Sequence, residues 1–206
     1  MFYSVSLFFR DLFDLQKPAS LTILDSAFTE VAYGISNQKN VTEEHELVPL
    51  TLYNKYKALC EPILLNHTDN NFEGVIIRPA TLCGYSPRMR FDLTVNEFIH
   101  DAFTKKSLEV YDPDTWRPYC HVRDFASLIH RVLSMERKKT HFEIFNAGGD
   151  SNNLTKRNIV DMIAGYIPDL ETKYVAGGTD PRNYIVDFTK VKTLLYFEPG
   201  WSVDDG

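Results

Sequence analysis

The sequence predicts an α/β fold with parallel strands, and three segments carry that prediction. Residues 21–24 form a short apolar, β-branched run that fits a buried strand. Residues 49–64 begin with a proline and then repeat apolar side chains every three or four positions, which is typical of a helix. Residues 74–79 are again apolar and β-branched and end at a proline, so they predict a second strand. A strand, a helix and a strand in this order are typical of a parallel α/β unit.

The remainder of the chain alternates predicted helices with short predicted strands. Amphipathic periodicity is clearest at 123–135, where the apolar side chains share one face. Turn-forming and polar residues predict loops at 34–48 and 112–118. The other predicted elements are helices at 91–103, 158–167 and 189–195 and strands at 107–111 and 141–146.

Composition places the chain among folded cytoplasmic proteins. A hydrophobic content of 44% is that of a globular protein, and a net charge of −6 argues against a general nucleic-acid binder. The three cysteines are far apart and lack metal-ligand spacing, so we expect reduced thiols and no metal site. The apolar run at 1–9 is too short to cross a membrane and is followed at once by charged residues.

Tyr53 and Lys57 are the first candidate functional pair. Four residues apart on a helix, they emerge on one face, and an ammonium held beside a phenol favours the phenolate form. Such a tyrosine can exchange a proton with a sugar or alcohol hydroxyl near neutral pH. In a chain with 11 tyrosines, however, a pair at this spacing arises by chance about as often as not.

Five further motifs give the pair a context. With it, the six in chain order are Ala-Tyr-Gly at 32–34, Thr-Glu at 42–43 with Tyr-x-x-x-Lys-x-x-x-Glu at 53–61, Arg-Pro-x-x-x-x-Gly at 78–84, Arg-Pro-Tyr-Cys-His-Val-Arg-Asp at 117–124, Phe-Asn-Ala-Gly at 145–148 and Phe-Glu-Pro-Gly-Trp-Ser at 197–202. Each motif alone is ordinary, but together and in this order they resemble the extended short-chain dehydrogenase/reductase family. The members that they resemble are the NAD-dependent nucleotide-sugar epimerases and dehydratases.

The resemblance implies a partial Rossmann-like, doubly wound parallel sheet with a smaller C-terminal substrate-binding lobe. Residues 1–84 would belong to the NAD-binding domain, with the catalytic helix at 50–66. Residues 85–206 would be mainly the nucleotide-sugar lobe, with 141–147 a strand that returns to the Rossmann sheet.

The resemblance also assigns catalytic and cofactor residues. Tyr53 corresponds to the catalytic acid/base and Lys57 to its partner, which also holds the nicotinamide ribose. Thr29 corresponds to the third catalytic residue, with Ser26 as the alternative if the loop carries an insertion. Tyr53, Lys57, Arg78 and Pro79 are the expected contacts to NAD or NADP.

Three residues are expected to bind the nucleotide sugar. Arg117 and Arg182 resemble the diphosphate-binding arginines of the family, and a guanidinium suits phosphate because it donates two parallel hydrogen bonds. Asn96 corresponds to a nucleotide or phosphate contact. The alternatives are surface salt bridges for the arginines and a solvated helix residue for Asn96. His121 and Asp124 are expected to orient the loop and cap the following helix.

Within this family we expect a 4-epimerase, with 4-keto reduction or dehydration as alternatives. The 4,6-dehydratases carry two acidic residues directly after the catalytic Thr, and here Glu30 is followed by Val31. The sequence contains no glycine-rich dinucleotide loop between a strand and a helix. We therefore expect a fragment or truncated product that binds NAD weakly alone. The other hypothesis is an inactive remnant that keeps a nucleotide-sugar or protein binding surface. A homodimer through the catalytic helix is also expected.

Overall fold

The computed structural model describes residues 20–24, 33–34, 40–66, 72–178 and 180–206, and these residues have the α/β architecture that the sequence predicts. The described strands are β1 (Ser20–Leu24), β2 (Asn40–Val41), β3 (Phe72–Pro79), β4 (Thr81–Cys83), β5 (Ser107–Tyr111), β6 (Trp116–His121), β7 (Ile144–Ala147), β8 (Asn153–Thr155), β9 (Glu171–Val175) and β10 (Ile185–Val186). The described α-helices are α1 (Leu52–Asn66), α2 (Thr94–Lys105), α3 (Val122–Ser134), α4 (Lys156–Tyr166) and α5 (Thr189–Leu195).

A parallel sheet of order β1-β3-β7 forms the centre of the first lobe. Successive residues of β3 face opposite sides of this sheet, as the twofold repeat of a strand requires. Ile76 packs against Leu64 of α1, whereas Val75 and Ile77 belong to a separate cluster with Leu128 of α3. Helices therefore cover both faces of the sheet, which explains why β3 is a continuous apolar run.

A second hydrophobic core lies in the C-terminal lobe. It joins Val95 and Ala102 of α2 to Val110 of β5 and to Ile159 and Ile163 of α4. Strand β6 connects the lobes, because β4 pairs with its second half and β8 with its first. Within the described residues, the two larger hydrophobic clusters meet at β6, which contributes Cys120 to one and Tyr119 to the other.

The predicted loop at 112–118 is wrong in its second half, where strand β6 begins at Trp116. Pro118 suggested a loop because proline cannot donate to a ladder. Pro118 pairs only with Asn153 of β8, while the pairing with β4 begins at Tyr119. Pro118 therefore has a strand neighbour on one side alone, and such a position tolerates a residue without a backbone N–H.

His121 and Asp124 organise the C-terminal end of the described chain. The Nδ1 atom of His121 accepts from the Arg123 N–H at 3.2 Å, so His121 caps α3, and its ring stacks on Trp201 at 5.0 Å. The carboxylate of Asp124 instead accepts from the backbone N–H groups of Gly200 at 2.9 Å and Trp201 at 3.0 Å. The capping role expected for both residues therefore belongs to His121 alone.

Helix α1 exposes several large apolar side chains, among them Leu52, Tyr56, Leu59 and Ile63. The homodimer through this helix stays a prediction.

Among the described residues, no helix is both long and apolar enough to cross a membrane.

The cysteines are free thiols, with Cys83 and Cys120 buried and Cys60 half-buried. Burial, together with the negative charge of Asp124, raises the pKa of the Cys83 thiol to about 12. A thiol that stays protonated is a poor nucleophile.

Replacing Gly84 should destabilise the fold. Gly84 has φ +94°, and a Cβ there would lie 2.3 Å from Nε2 of His121. We expect Gly84→Ala to lower the free energy of unfolding by at least about 2 kcal/mol, through left-handed strain and overpacking. Gly165→Ala is the matched control, because Gly165 lies in α4 and an added Cβ would meet no neighbouring atom within 4 Å. This variant should raise the free energy of unfolding by roughly 0.5–1 kcal/mol. Urea unfolding measures both, and an unchanged Gly84→Ala variant would contradict the packing described here.

Candidate functional site

Helix α1 presents Tyr53 and Lys57 together, as their spacing predicts. The Tyr53 side chain is 55% exposed, and Lys57 Nζ lies 5.6 Å from the centre of the Tyr53 ring. A phenol and an ammonium that share one accessible helix face are suited to hydrogen-bond the hydroxyl groups of a ligand. Thr29 and its alternative Ser26 lie outside the described residues, so their positions stay predictions.

A buried ion pair anchors α1 to the sheet one turn after Lys57. Arg78 of β3 donates from Nε to Glu61 Oε1 at 2.9 Å and from Nη2 to Glu61 Oε2 at 2.7 Å. Both side chains are at most 5% exposed. Burial alone would lower the pKa of the Arg78 guanidinium, but the hydrogen bonds to Glu61 raise it. The pair therefore stays ionised inside the protein and fixes the helix that carries Tyr53.

The same guanidinium organises a buried hydrogen-bond network. Arg78 Nη1 donates to the Tyr33 hydroxyl at 2.8 Å and to the Glu43 carbonyl at 3.0 Å. The Tyr33 hydroxyl donates to Asn146 Oδ1 at 2.6 Å, and the Asn146 N–H donates to Glu43 Oε1 at 2.8 Å. Burial raises the pKa of the Glu43 carboxyl. This network connects α1, strands β3 and β7 and the loop that contains Glu43. The sequence prediction did not include this role for Arg78.

Arg117 and Arg182 converge on one carboxylate, that of Asp180. Arg182 donates from Nε at 2.7 Å and from Nη2 at 2.5 Å, and Arg117 Nη2 lies 3.1 Å from the same carboxylate. Burial alone would raise the pKa of Asp180, but the bonds from Arg182 and the positive charge of Arg117 hold it well below its usual value. The structure thus brings the two predicted arginines together. Sequence reasoning missed Asp180, although it stands only two residues before Arg182.

An aromatic pair connects the buried network to Arg117, Arg182 and Asp180, which we call the arginine group. The Arg117 guanidinium lies over the Tyr184 ring at 5.5 Å, and Tyr184 contacts the Tyr33 ring edge to face at 6.3 Å. The Arg78 guanidinium lies over the other tyrosine, Tyr33, at 5.1 Å. The residues that hold α1 against the sheet and the two arginines at Asp180 are therefore linked by contacts between Tyr33 and Tyr184.

Asn96 and Lys156 are two further polar residues in this part of the chain. Asn96 is buried, and its Nδ2 donates to the Arg90 carbonyl at 3.0 Å, so it orders the loop before α2. Lys156 Nζ donates to the Tyr111 carbonyl at 2.7 Å. Burial and the positive charge of Arg117 lower the pKa of Lys156. Lys156 is a further cation that no motif in the sequence singled out.

A cavity of about 510 Å³ opens beside the arginine group. Its wall includes Asn183, which follows Arg182 directly and accepts a hydrogen bond from the Trp116 N–H at 2.9 Å. The remaining lining residues are Asp112, Pro113, Asp114, Thr115, Tyr174, Val175 and Ala176.

Comparison with known proteins gives one family. A sequence model of the NAD dependent epimerase/dehydratase family matches residues 23–148, more than half of the chain. An uncharacterized UDP-glucose epimerase, YtcB, of Bacillus subtilis is 29% identical over 87% of the chain and 56% of its own length. A UDP-glucuronate 4-epimerase of Thermodesulfobacterium geofontis is 26% identical over 95% of the chain and 60% of its own length.

The fold has the same relatives. The crystal structure of a dTDP-glucose 4,6-dehydratase from Bacillus anthracis in complex with NAD superposes with a TM-score of 0.70 at 26% identity. That match covers 86% of the present chain and 57% of the dehydratase. The chain thus spans between 56% and 60% of the length of these proteins.

Breaking the buried ion pair from one side should destabilise the protein more than removing it entirely. We expect Glu61→Gln to lower the free energy of unfolding by roughly 3–5 kcal/mol, because it leaves the Arg78 charge buried without a counter-ion. The double variant Glu61→Leu with Arg78→Met should regain much of that loss. Urea unfolding of the three proteins provides the measurement, and a Glu61→Gln variant within about 0.5 kcal/mol of the wild type would contradict the role given to the pair.

Proposed function

The chain belongs to the NAD dependent epimerase/dehydratase family, and we propose that it acts as a nucleotide-sugar epimerase of the 4-epimerase type. One observation carries this proposal most directly. An accessible tyrosine and lysine share a face of α1, while two arginines converge on a single carboxylate in the adjoining lobe. Acid/base chemistry and diphosphate binding need these two kinds of group.

Tyr53 would act as the acid/base for the sugar 4-hydroxyl. Its phenolate accepts the hydroxyl proton as C4 is oxidised and returns it when C4 is reduced. Lys57 is proposed to be the partner of this tyrosine, since its Nζ lies 5.6 Å from the centre of the Tyr53 ring. Thr29 is proposed to share the hydrogen bond to the same sugar hydroxyl.

The chain would also hold the nicotinamide cofactor of the family. An exposed hydroxyl and an ammonium on one helix face fit the ribose hydroxyls of a dinucleotide. When bound, NAD⁺ would supply the hydride acceptor for oxidation at sugar C4 and, as NADH, the hydride donor for reduction on the opposite face. Arg78 and Pro79 are the other proposed contacts, although the Arg78 guanidinium is engaged by Glu61 and Tyr33.

Arg117 and Arg182 would hold the diphosphate of the nucleotide sugar while the sugar itself turns. Epimerisation requires both faces of C4 to meet the same hydride position, so the anchor must lie away from the sugar ring. Two guanidiniums at a diphosphate provide such an anchor through charge-assisted hydrogen bonds. Asn96 is proposed to support this site by ordering the loop before α2.

Two observations favour epimerisation over the other reactions of the family. Among the relatives is a UDP-glucuronate 4-epimerase that aligns with 95% of the chain. The residue after Glu30 is Val31, so the second acid expected of a dehydratase is missing. A 4-keto reductase uses the same tyrosine and lysine and is the second candidate reaction.

Tyr53→Phe tests the acid/base role. For the assay, the chain is fused to the part of the Bacillus subtilis relative that it does not match, and is incubated with NAD⁺ and UDP-glucuronate. We expect the fused protein to form the 4-epimer, and Tyr53→Phe to lower turnover at least about a hundredfold because the proton acceptor is lost. NMR spectroscopy of the products measures both.

Tyr56→Phe is the control, because Tyr56 is also exposed on α1 and should keep turnover. Turnover retained in Tyr53→Phe would refute the assignment. Binding of UDP-glucuronate without any turnover would instead favour an inactive nucleotide-sugar-binding protein.

Arg117→Met tests the proposed diphosphate site in the unfused chain of 206 residues. Loss of a charge-assisted fork should weaken UDP binding about ten- to a hundredfold. Titration calorimetry provides the affinity, with Arg131→Met, an exposed arginine of α3, as the control for a lost positive charge. Equal UDP affinity in the two variants would contradict the placement of the diphosphate.

A further inference from the structure

The arginine group already contains an anion that belongs to the chain. The Asp180 carboxylate accepts from Arg182 Nε at 2.7 Å and Nη2 at 2.5 Å, and from the Arg182 backbone N–H at 3.2 Å. Arg117 Nη2 lies 3.1 Å from the same group. This is the geometry in which a guanidinium fork binds a phosphate, with a carboxylate in its place.

The surroundings keep this carboxylate ionised and partly accessible. The Asp180 side chain is 37% exposed, whereas that of Arg117 is only 10% exposed. The two arginines outweigh the effect of burial, so the pKa of Asp180 stays well below its usual value. A diphosphate carries more negative charge than one carboxylate and offers an oxygen acceptor to each guanidinium. A ligand with more negative charge can therefore replace Asp180 without leaving the arginines unpaired.

We propose that Asp180 is a displaceable counter-ion that competes with the diphosphate of the ligand for Arg117 and Arg182. This inference rests on the proposed function, because it takes the two arginines as the diphosphate site. Asp180 holds the guanidiniums of Arg117 and Arg182 in place in the free protein, and its carboxylate moves away from them when the diphosphate binds. The competition lowers the affinity for the nucleotide diphosphate and so favours its release.

The variant Asp180→Asn distinguishes two roles of Asp180, competition with the ligand for the arginines and structural support of the arginines. Asparagine keeps the shape and one acceptor oxygen but removes the competing charge. If Asp180 competes, Asp180→Asn should bind UDP about tenfold more tightly than the wild type in titration calorimetry. If Asp180 only supports the arginines, the variant should bind UDP more weakly or equally, and either result overturns the proposal.

The control is Asp101→Asn, which removes a carboxylate paired with Lys105 on α2 and should leave the UDP affinity unchanged. Equal tightening in Asp101→Asn would show a general charge effect and also overturn the proposal. A second readout needs no variant. The ¹³C resonance of the Asp180 side-chain carboxyl in the wild-type chain should shift when UDP saturates it, and an unchanged resonance would contradict displacement.

The two hypotheses fail differently. If UDP binds the wild type and is lost in Arg117→Met, but Asp180→Asn does not tighten binding, the diphosphate site stands and the competition is wrong. If UDP binds none of these proteins, both the diphosphate site and the competition are wrong.

Discussion

The buried ion pair between Arg78 and Glu61 is the interaction on which the placement of α1 depends. Glu61 lies on the helix that carries Tyr53 and Lys57, and Arg78 lies on the central strand of the sheet. Desolvation makes such a pair costly unless its hydrogen bonds are complete, and here both carboxylate oxygens accept from the guanidinium. A complete pair fixes the rotation of the helix, and therefore the direction in which the exposed phenol faces.

Exposure separates the arginines into two kinds. Arg78 is buried with its counter-ion Glu61 and donates to the Tyr33 hydroxyl. Arg117 and Arg182 both contact the carboxylate of Asp180, whose side chain is 37% exposed. A buried, fully hydrogen-bonded pair suits a structural role, whereas a group that solvent reaches can meet an anionic ligand. Tyr184 and Tyr33 contact each other edge to face between the two groups.

Sequence reasoning predicted much of the fold, because long apolar runs and helical periodicity are set locally. Strand β5 at Ser107–Tyr111 and helix α5 at Thr189–Leu195 have the bounds expected from the sequence. Strands of two or three residues, such as β2 and β8, were not predicted, because their pairing depends on distant partners. Within the site, Tyr53 with Lys57 and Arg117 with Arg182 were predicted from motifs. The roles of Glu61 and Asp180 were not, because a counter-ion is defined by its partner in space.

The arginine that pairs with Glu61 and the two arginines proposed to bind the diphosphate should respond differently to a ligand. NMR observation of the arginine Nε–H groups during titration of the chain with UDP-glucuronate tests this difference directly. We expect the resonances of Arg117 and Arg182 to shift as the ligand binds, while that of Arg78 stays unchanged. A shift at Arg78 with no change at Arg117 and Arg182 would contradict the proposed division of roles.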